Sequence, residues 1–483
     1  MTQRAFICAA AYLLSSILLS GCAGLKVHYQ APPAPQIQGA ANWNTPLENG
    51  TQSTPAGDAE LSQWWSVFGD PELTSLEQRA LKANLDLLKA EAEILQARAN
   101  RDYNAANMYP SVTGSFSSGE TKYVSSPTGG QSSPGPSSAQ IGGTQYTAEL
   151  QGSWEPDFFG AIRKNVASYS ATAQSQQENL RNVMVTLTAD VALDYIDVRL
   201  YQAQLAVTRS NLAADMDTYR MTLEKSRSGL ASDLDVQQAL ESAKSTESTI
   251  PTLETNLKES CNGIAVLLGE RPGAVEAELA EVKPIPVIPS RVAVGIPGDL
   301  IRRRPDIRQA ERQYAAQWYQ VGVAKANLYP TFTLSGSFSA SSQAISSLFS
   351  PASLVSSVTG SVEQALINRK ALKAQVRVQS ALLDQYEISY QSTVLGAIQD
   401  VENAIQEFSA EQVRRRSLAQ DATAAQNAAE MSRGLYAGGL KDFLTVLDSE
   451  RTQLSAQNNL VQSDAAVAEN LVRLYRAMGG GWR

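Results

Sequence analysis

The spacing of apolar residues changes abruptly at two places. Up to Asn107-Met108-Tyr109-Pro110 the apolar positions recur at helical intervals, and from Ser111 they alternate strictly through Val112, Gly114 and Phe116. The same change occurs at Asn327-Leu328-Tyr329-Pro330, after which Phe332, Leu334, Gly336 and Phe338 alternate with Thr and Ser. Proline disfavours helix continuation and pushes the preceding residue towards extended geometry, so each Tyr-Pro, with the alternation that follows it, predicts a helix end followed at once by a strand. Return strands follow. Tyr146, Ala148, Leu150, Gly152 and Trp154 face one way, against Gln145, Thr147, Glu149, Gln151 and Ser153; Leu354, Val358, Gly360 and Val362 mark the second return. The Ser-, Gly- and Pro-rich stretch from Ser125 to Gly143 predicts an exposed loop between the first two strands.

After Gly160 neither Gly nor Pro occurs until Gly229. Apolar residues recur there every three or four positions: Val166, Tyr169, Ala173, Leu180, Val183, Leu187, Val191, Tyr195, Val198, Leu205, Leu212, Met216, Tyr219 and Leu223. A helix of about 67 residues would span roughly 100 Å, far beyond an ordinary globular helix, so this segment predicts a coiled-coil or tube wall. A second run with the stripe Leu372, Val376, Leu383, Tyr386, Tyr390, Val394, Ala397, Val401 and Phe408 continues to Arg433. Ser228-Gly229-Leu230 and Gly438-Gly439-Leu440 turn the two runs back, with Asp233 placed to cap the first returning helix. Echoes in one order mean two copies of one unit. The expected organisation is an N-terminal signal over 1–21, an extended arm over 22–63, a first copy over 64–270, a connector over 271–298 and a second copy over 299–483.

The chain has 483 residues and a formal net charge of -8, with a pI of about 5.1, which argues against nucleic-acid partners. One His and three Cys are a poor stock for metal or nucleophile–base chemistry, so no enzyme is expected. Cys261, among Ile264, Leu267 and Leu268, reads as a small buried hydrophobe, and His28 as solvated in a Pro-rich arm. Arg4, the apolar stretch Ala5 to Leu19 and Leu19-Ser20-Gly21-Cys22 form a secretory signal of the lipoprotein kind. Cleavage before Cys22 would leave covalent lipid, palmitate included, on that residue; no other cofactor is expected. Ala23 after Cys22 resembles the outer-membrane address of bacterial lipoproteins.

No other apolar run could span a membrane as a helix, so membrane insertion must use strands. Each predicted strand has about ten residues, the length a tilted strand needs to cross a bilayer. An open sheet edge is not tolerated in lipid, and four strands cannot close a barrel. Two chains would supply eight strands and three would supply twelve, the latter with room for a lumen.

Trp64-Trp65, Phe68, Asp70-Pro71-Glu72-Leu73, Tyr109-Pro110, Arg303-Arg304-Pro305-Asp306-Ile307-Arg308 and Gly479-Gly480-Gly481-Trp482 resemble the TolC/OprM-type outer-membrane efflux lipoproteins over nearly the whole mature chain. The resemblance implies an α+β membrane protein: a homotrimer with a 12-stranded β-barrel, four strands per chain, continuous with a long α-helical coiled-coil tunnel in the periplasm. It implies a lipid-anchored exit duct of a tripartite efflux system for drugs or other small toxic compounds. The partners would be a periplasmic adaptor, an inner-membrane transporter of the RND type and outer-membrane lipid. Type I protein secretion through the same tube is the alternative within the class. A trimeric coiled-coil adhesin is the alternative outside it, but does not account for two mid-chain hairpins at matching sites.

By the same resemblance the two Gly-Leu turns, at Gly229, Leu230 and Ser232 and at Gly439 and Leu440, would receive the adaptor. Asp235 and Asp448, with Asp233 and Asp442 nearby, would narrow the periplasmic gate. The turns also read as left-handed helix ends, and Asp233 and Asp442 as helix caps. Arg302, Arg303 and Arg304 read as structural ion pairs. Two departures from the family pattern, Glu155-Pro156-Asp157-Phe158-Phe159-Gly160 and Gln364-Ala365-Leu366-Ile367-Asn368, fall at the joints between strands and long helices.

Overall fold

Both Tyr-Pro steps form the same turn: Tyr109 N–H donates to Ala106 O and Tyr329 N–H to Ala326 O, each at 3.0 Å, and a strand begins directly after the proline. The structure, a computed structural model, describes residues 29–33, 43–48, 51–52, 61–121, 143–289, 292–295, 297–298, 303–367 and 369–482. Cys22, His28, Arg302, Asn368 and most of the Ser125–Gly143 loop lie outside the described residues.

In chain order the strands are β1 (Thr51–Gln52), β2 (Ser111–Thr121), β3 (Gly143–Trp154), β4 (Val292–Ala293), β5 (Thr331–Ser342) and β6 (Leu354–Glu363). The helices are α1 (Pro71–Ala83), α2 (Leu85–Ala106), α3 (Ala161–Arg227), α4 (Asp233–Leu267), α5 (Pro305–Ala326), α6 (Arg369–Ala437) and α7 (Phe443–Ala477). The paired lengths, 67 and 69 residues for α3 and α6 and 35 each for α4 and α7, express the duplication. None of the described helices is long and apolar enough to cross a membrane.

One compact unit contains residues 95–174 and 312–387. Its centre is an antiparallel sheet in the order β2-β3-β5-β6. The register puts Val112, Gly152, Gly336 and Val358 in one row and Thr113, Gln151, Ser337 and Ser357 in the next. Period-two alternation therefore separates an apolar face from a hydroxyl and amide face over most of the sheet, although Ser118, Glu120 and Ser356 fall on the first face and Val355 on the second. Val112, Phe116, Leu150, Phe338, Val358 and Val362 are all exposed. The outer edges of β2 and β6 have no strand partner among the described residues.

The other unit contains 32–94, 175–311 and 388–483. Its core joins both copies: Leu73 and Leu76 from α1, Val191, Tyr195, Ile196 and Val198 from α3, Ile264 and Leu268 from the α4 end, Val401, Ile405 and Phe408 from α6, and Leu471, Val472 and Leu474 from α7. Trp64 stacks on Tyr475 at 5.5 Å. The recognisable motifs hold this core. Asp70 caps α1, accepting from Glu72 N and Leu73 N, and also accepts from Tyr195 Oη at 2.6 Å. Glu72 pairs with the fully buried Arg199 and with Lys283. Arg304 binds Asp306, Asp400 and the Ala477 carbonyl, while Arg181 and Arg308 flank the Trp482 ring and both pair with Glu178. The described part of the N-terminal arm is tied down too: β1 pairs in parallel with β4, and Trp43 Nε1 donates to Gly295 O.

Two local expectations need correction. The helix expected to run unbroken to Tyr109-Pro110 is interrupted at Asn84, whose backbone is extended. Its amide accepts from Leu87 N and donates to Leu267 O, so the side chain caps the new helix and pins it to the end of α4. The second correction concerns α3 beyond Leu205. The buried line there is Asn211, Asp215, Thr218 and Thr222, one position from the expected apolar stripe, while Leu212, Met216, Tyr219 and Leu223 are only half-buried. The polar line wins inside the chain because each member has a hydrogen-bond partner, described below.

Gly269 shows how closely the α4 end approaches α1. It has φ +70°, and a Cβ there would lie 2.5 Å from the Ala83 carbonyl oxygen. Gly269→Ala should cost about 1–2 kcal/mol from the left-handed backbone alone, with the clash in addition. Thermal unfolding followed by helical circular dichroism should show a midpoint lowered by several degrees, whereas an unchanged midpoint would mean that this approach is not constrained.

Candidate functional site

The two helix turns are built with the same hydrogen bonds. In the first, Leu230 N–H donates to Lys225 O at 2.8 Å and Gly229 N–H to Ser226 O at 2.9 Å; in the second, Leu440 N–H donates to Leu435 O at 2.8 Å and Gly439 N–H to Tyr436 O at 3.0 Å. Gly229 and Gly439 have φ of 72° and 73°, the left-handed conformation that ends a helix without Cβ strain. Leu230 and Leu440 are 78% and 74% exposed, and Leu234 and Leu444, one turn further on, are also exposed. Four exposed leucines on two matched turns form an apolar tip that the sequence reading located only in part.

The caps differ between copies. Ser232, not Asp233, caps α4: its Oγ accepts from Asp235 N, and the Asp235 carboxylate accepts from Ser232 N, both at 3.1 Å. Asp233 lies inside the first turn, where its carboxylate accepts from Ser226 Oγ. Serine takes the cap because its short hydroxyl reaches the third helical N–H while the acidic residue three places on closes the reciprocal bond. Asp442 caps α7, accepting from Thr445 N at 3.0 Å. Three of the four predicted gate carboxylates are therefore engaged in local bonds. Asp448 is exposed and makes no hydrogen bond or ion pair among the described residues.

Between the turns and the core, a polar seam joins the α3–α4 hairpin to the α6–α7 hairpin. Lys225 Nζ donates to Tyr436 O and lies 4.1 Å from the Tyr436 ring centre. Tyr436 Oη meets Thr222 Oγ1 at 3.3 Å, Thr218 Oγ1 donates to Glu450 at 2.7 Å, and Asn211 Nδ2 donates to Gln457 at 2.7 Å. Thr246 Oγ1 donates to Asp215 at 2.7 Å, and Arg451 pairs with Glu241 at 2.6 Å. Sequence patterning missed this seam because Thr and Asn at helical spacing do not register as a buried face. The signal was the repeat of small polar residues at three- and four-residue steps.

Burial pushes the Glu450 carboxyl from its usual 4.5 up to about 7. The Thr218 hydrogen bond opposes this, Asp215 across the seam adds to it, and Arg433 opposes it. Burial likewise raises Asp215, partly offset by Thr246, Arg433 and Arg451.

Two hairpins of strands with one largely apolar exposed face, and two long helical hairpins ending in matched apolar turns, define the class of outer-membrane channel proteins. Residues 76–270 and 296–480, one stretch in each copy, match the outer membrane efflux protein family, and the chain belongs to that family. Nodulation protein T of Rhizobium leguminosarum bv. viciae is 32% identical to it, over 99% of this chain and 94% of that protein. The pyoverdine export outer membrane protein OpmQ of Pseudomonas aeruginosa is 29% identical, over 98% of this chain and 96% of that protein. The solved structure of the outer-membrane channel OprN superposes with a TM-score of 0.85 at 32% identity, covering 94% of this chain and 99% of that one. The fold class is that of the outer-membrane efflux channels, and the chain serves as an outer-membrane exit duct, with its helices on the periplasmic side. These relatives favour efflux over the adhesin reading.

The Glu450 geometry sets a pH dependence. A carboxyl raised from 4.5 to about 7 keeps its proton in the folded state where the unfolded chain has lost it. Its contribution to stability is therefore fully present below about pH 4.5 and is lost as pH rises through about 7. Hydrogen exchange of amides in 211–222 and 446–457, corrected for intrinsic rates, should accelerate across that window. Glu450→Gln should flatten the dependence; an unchanged slope would assign it to another group.

Proposed function

We propose that three copies of this chain close a twelve-stranded barrel and a helical tunnel that passively conduct small toxic compounds delivered by a periplasmic adaptor and an RND-type inner-membrane transporter. The observation that carries this reading is the sheet itself. Four bilayer-length strands expose one largely apolar face and end in two edges unpaired among the described residues, and unpaired backbone in hydrocarbon costs several kcal/mol per group. Three copies give a barrel wide enough for a lumen, with the Ser, Thr and Gln face towards water and the Phe, Leu and Val face towards lipid. That lining discriminates little between solutes, so cargo choice belongs to the transporter. A relative named for pyoverdine export supports small-molecule cargo. Acyl chains on Cys22 would hold the chain to the outer membrane, each buried methylene contributing roughly 0.8 kcal/mol.

The adaptor would dock at the paired turns, against Leu230 and Leu440 with Leu234 and Leu444 beside them; Gly229, Ser232 and Gly439 shape these turns. Helix-in-groove binding needs such apolar anchors. Among the predicted gate residues Asp448 is the one whose exposed carboxylate is not held by a local bond, so the gate reading concentrates on it. Three symmetric copies would place like charges in a ring that attracts cations.

Reconstitution in planar bilayers tests the duct. Purified protein should be trimeric in detergent and should form pores; monomers without conductance would end the reading. Asp448→Ala should increase closed-state conductance and reduce cation preference, and an unchanged channel would remove Asp448 from the gate. In cells, Leu230→Asp combined with Leu440→Asp should abolish efflux while leaving trimers and bilayer conductance intact. Full efflux in that variant would place the adaptor elsewhere.

A further inference from the structure

The two joints between strand and long helix are one construction with different contents. Ala161 starts α3 and Arg369 starts α6, so Phe158 and Phe159 in the first copy answer to Leu366 and Ile367 in the second. The first joint is filled. Phe159 stacks on Tyr329, with ring centres 4.8 Å apart and planes 17° from parallel, and Phe158 meets Phe332 edge-on at 4.9 Å. Tyr329 just precedes β5 and Phe332 is its second residue, and β5 pairs with β3, so the joint of one copy sits on the strand start of the other.

The second joint has both halves but is not assembled. Leu366 and Ile367 are 84% and 90% exposed. The first-copy counterparts of Tyr329 and Phe332 are Tyr109 and Val112, both 71% exposed. They cannot meet within one chain. Tyr109 precedes β2 and Leu366 follows β6, the opposite edges of a four-stranded sheet, so three strand spacings of about 4.8 Å separate them. A neighbouring copy whose β2 continues this chain's β6 would bring them together as β3 and β5 bring the first pair.

We propose that Leu366 and Ile367 are an interface plug that seats on Val112 and Tyr109 of a neighbouring copy, reproducing between subunits the aromatic joint made within each subunit by Phe158 and Phe159. The occupant is a second copy of this chain, because the chain's own duplicate shows the same socket filled. The inference rests on the proposed closure of several copies. The plug has a definite task. Backbone hydrogen bonds hold two strand edges together but allow slippage by two residues, which keeps every side chain on its face; a side-chain joint at the strand base allows one register. The between-subunit joint replaces two phenylalanines with Leu and Ile and one socket phenylalanine with Val, so it lacks the stacked ring pair of the joint within the chain.

The test is disulfide crosslinking of full-length protein in the outer membrane. Leu366→Cys with Val112→Cys should, on oxidation, shift the protein from the one-chain band to two- and three-chain bands on a non-reducing gel. Reductant should reverse the shift, and neither single variant should produce it. Ile367→Cys with Tyr109→Cys provides a second reading if the first pair fails to assemble. Light scattering of the same samples in detergent separates the outcomes. Trimers that crosslink through neither pair would overturn the plug and leave barrel closure standing. Monomeric wild-type protein would overturn both.

Discussion

Unpaired backbone cannot remain in hydrocarbon, and much of this chain's design follows from that constraint. Among the described residues the sheet has four strands, two edges without a strand partner and a broad exposed apolar face. Four strands are too few to close on themselves, so neither edge can be satisfied by the chain that carries it. Subunit contact is therefore a condition for the sheet to exist in a membrane, rather than an addition to a finished fold.

Duplication supplies the pieces that such a closure needs. The helix ends carry the same hydrogen bonds at Gly229 and Gly439, and the Tyr-Pro turns match at Tyr109 and Tyr329. The copies diverge where their surroundings differ. The serine-based capping box of α4 becomes a single aspartate cap on α7, and the phenylalanines of the first joint become aliphatic in the second. The repeated backbone chemistry keeps the geometry of the two halves alike while these side chains differ.

The helical part is held by two kinds of contact. Around Trp64, Tyr195, Phe408 and Tyr475 the core is apolar and tightly locked by Arg199, Glu72 and the Arg304 contacts. Towards the turns the seam becomes polar, with Thr218, Glu450, Asp215 and Asn211 satisfied across hairpins. A polar seam exchanges its partners for water at far lower cost than an apolar core loses its burial.

Much was legible in the sequence by itself: where helices become strands, how long the great helices run, which face of each strand is apolar, and that the unit occurs twice. These are local properties, set by proline, glycine and residue period. Tertiary structure decided what depends on neighbours distant in sequence. Asn84 breaks a helix because Leu267 is there to receive its amide. Asn211, Asp215, Thr218 and Thr222 are buried instead of Leu212, Met216, Tyr219 and Leu223 because partners from α4, α6 and α7 satisfy them. Ser232 displaces Asp233 as a cap because the reciprocal bond with Asp235 is geometrically available. A polar residue's place is set by the partner it finds, and a one-dimensional pattern carries no record of that partner.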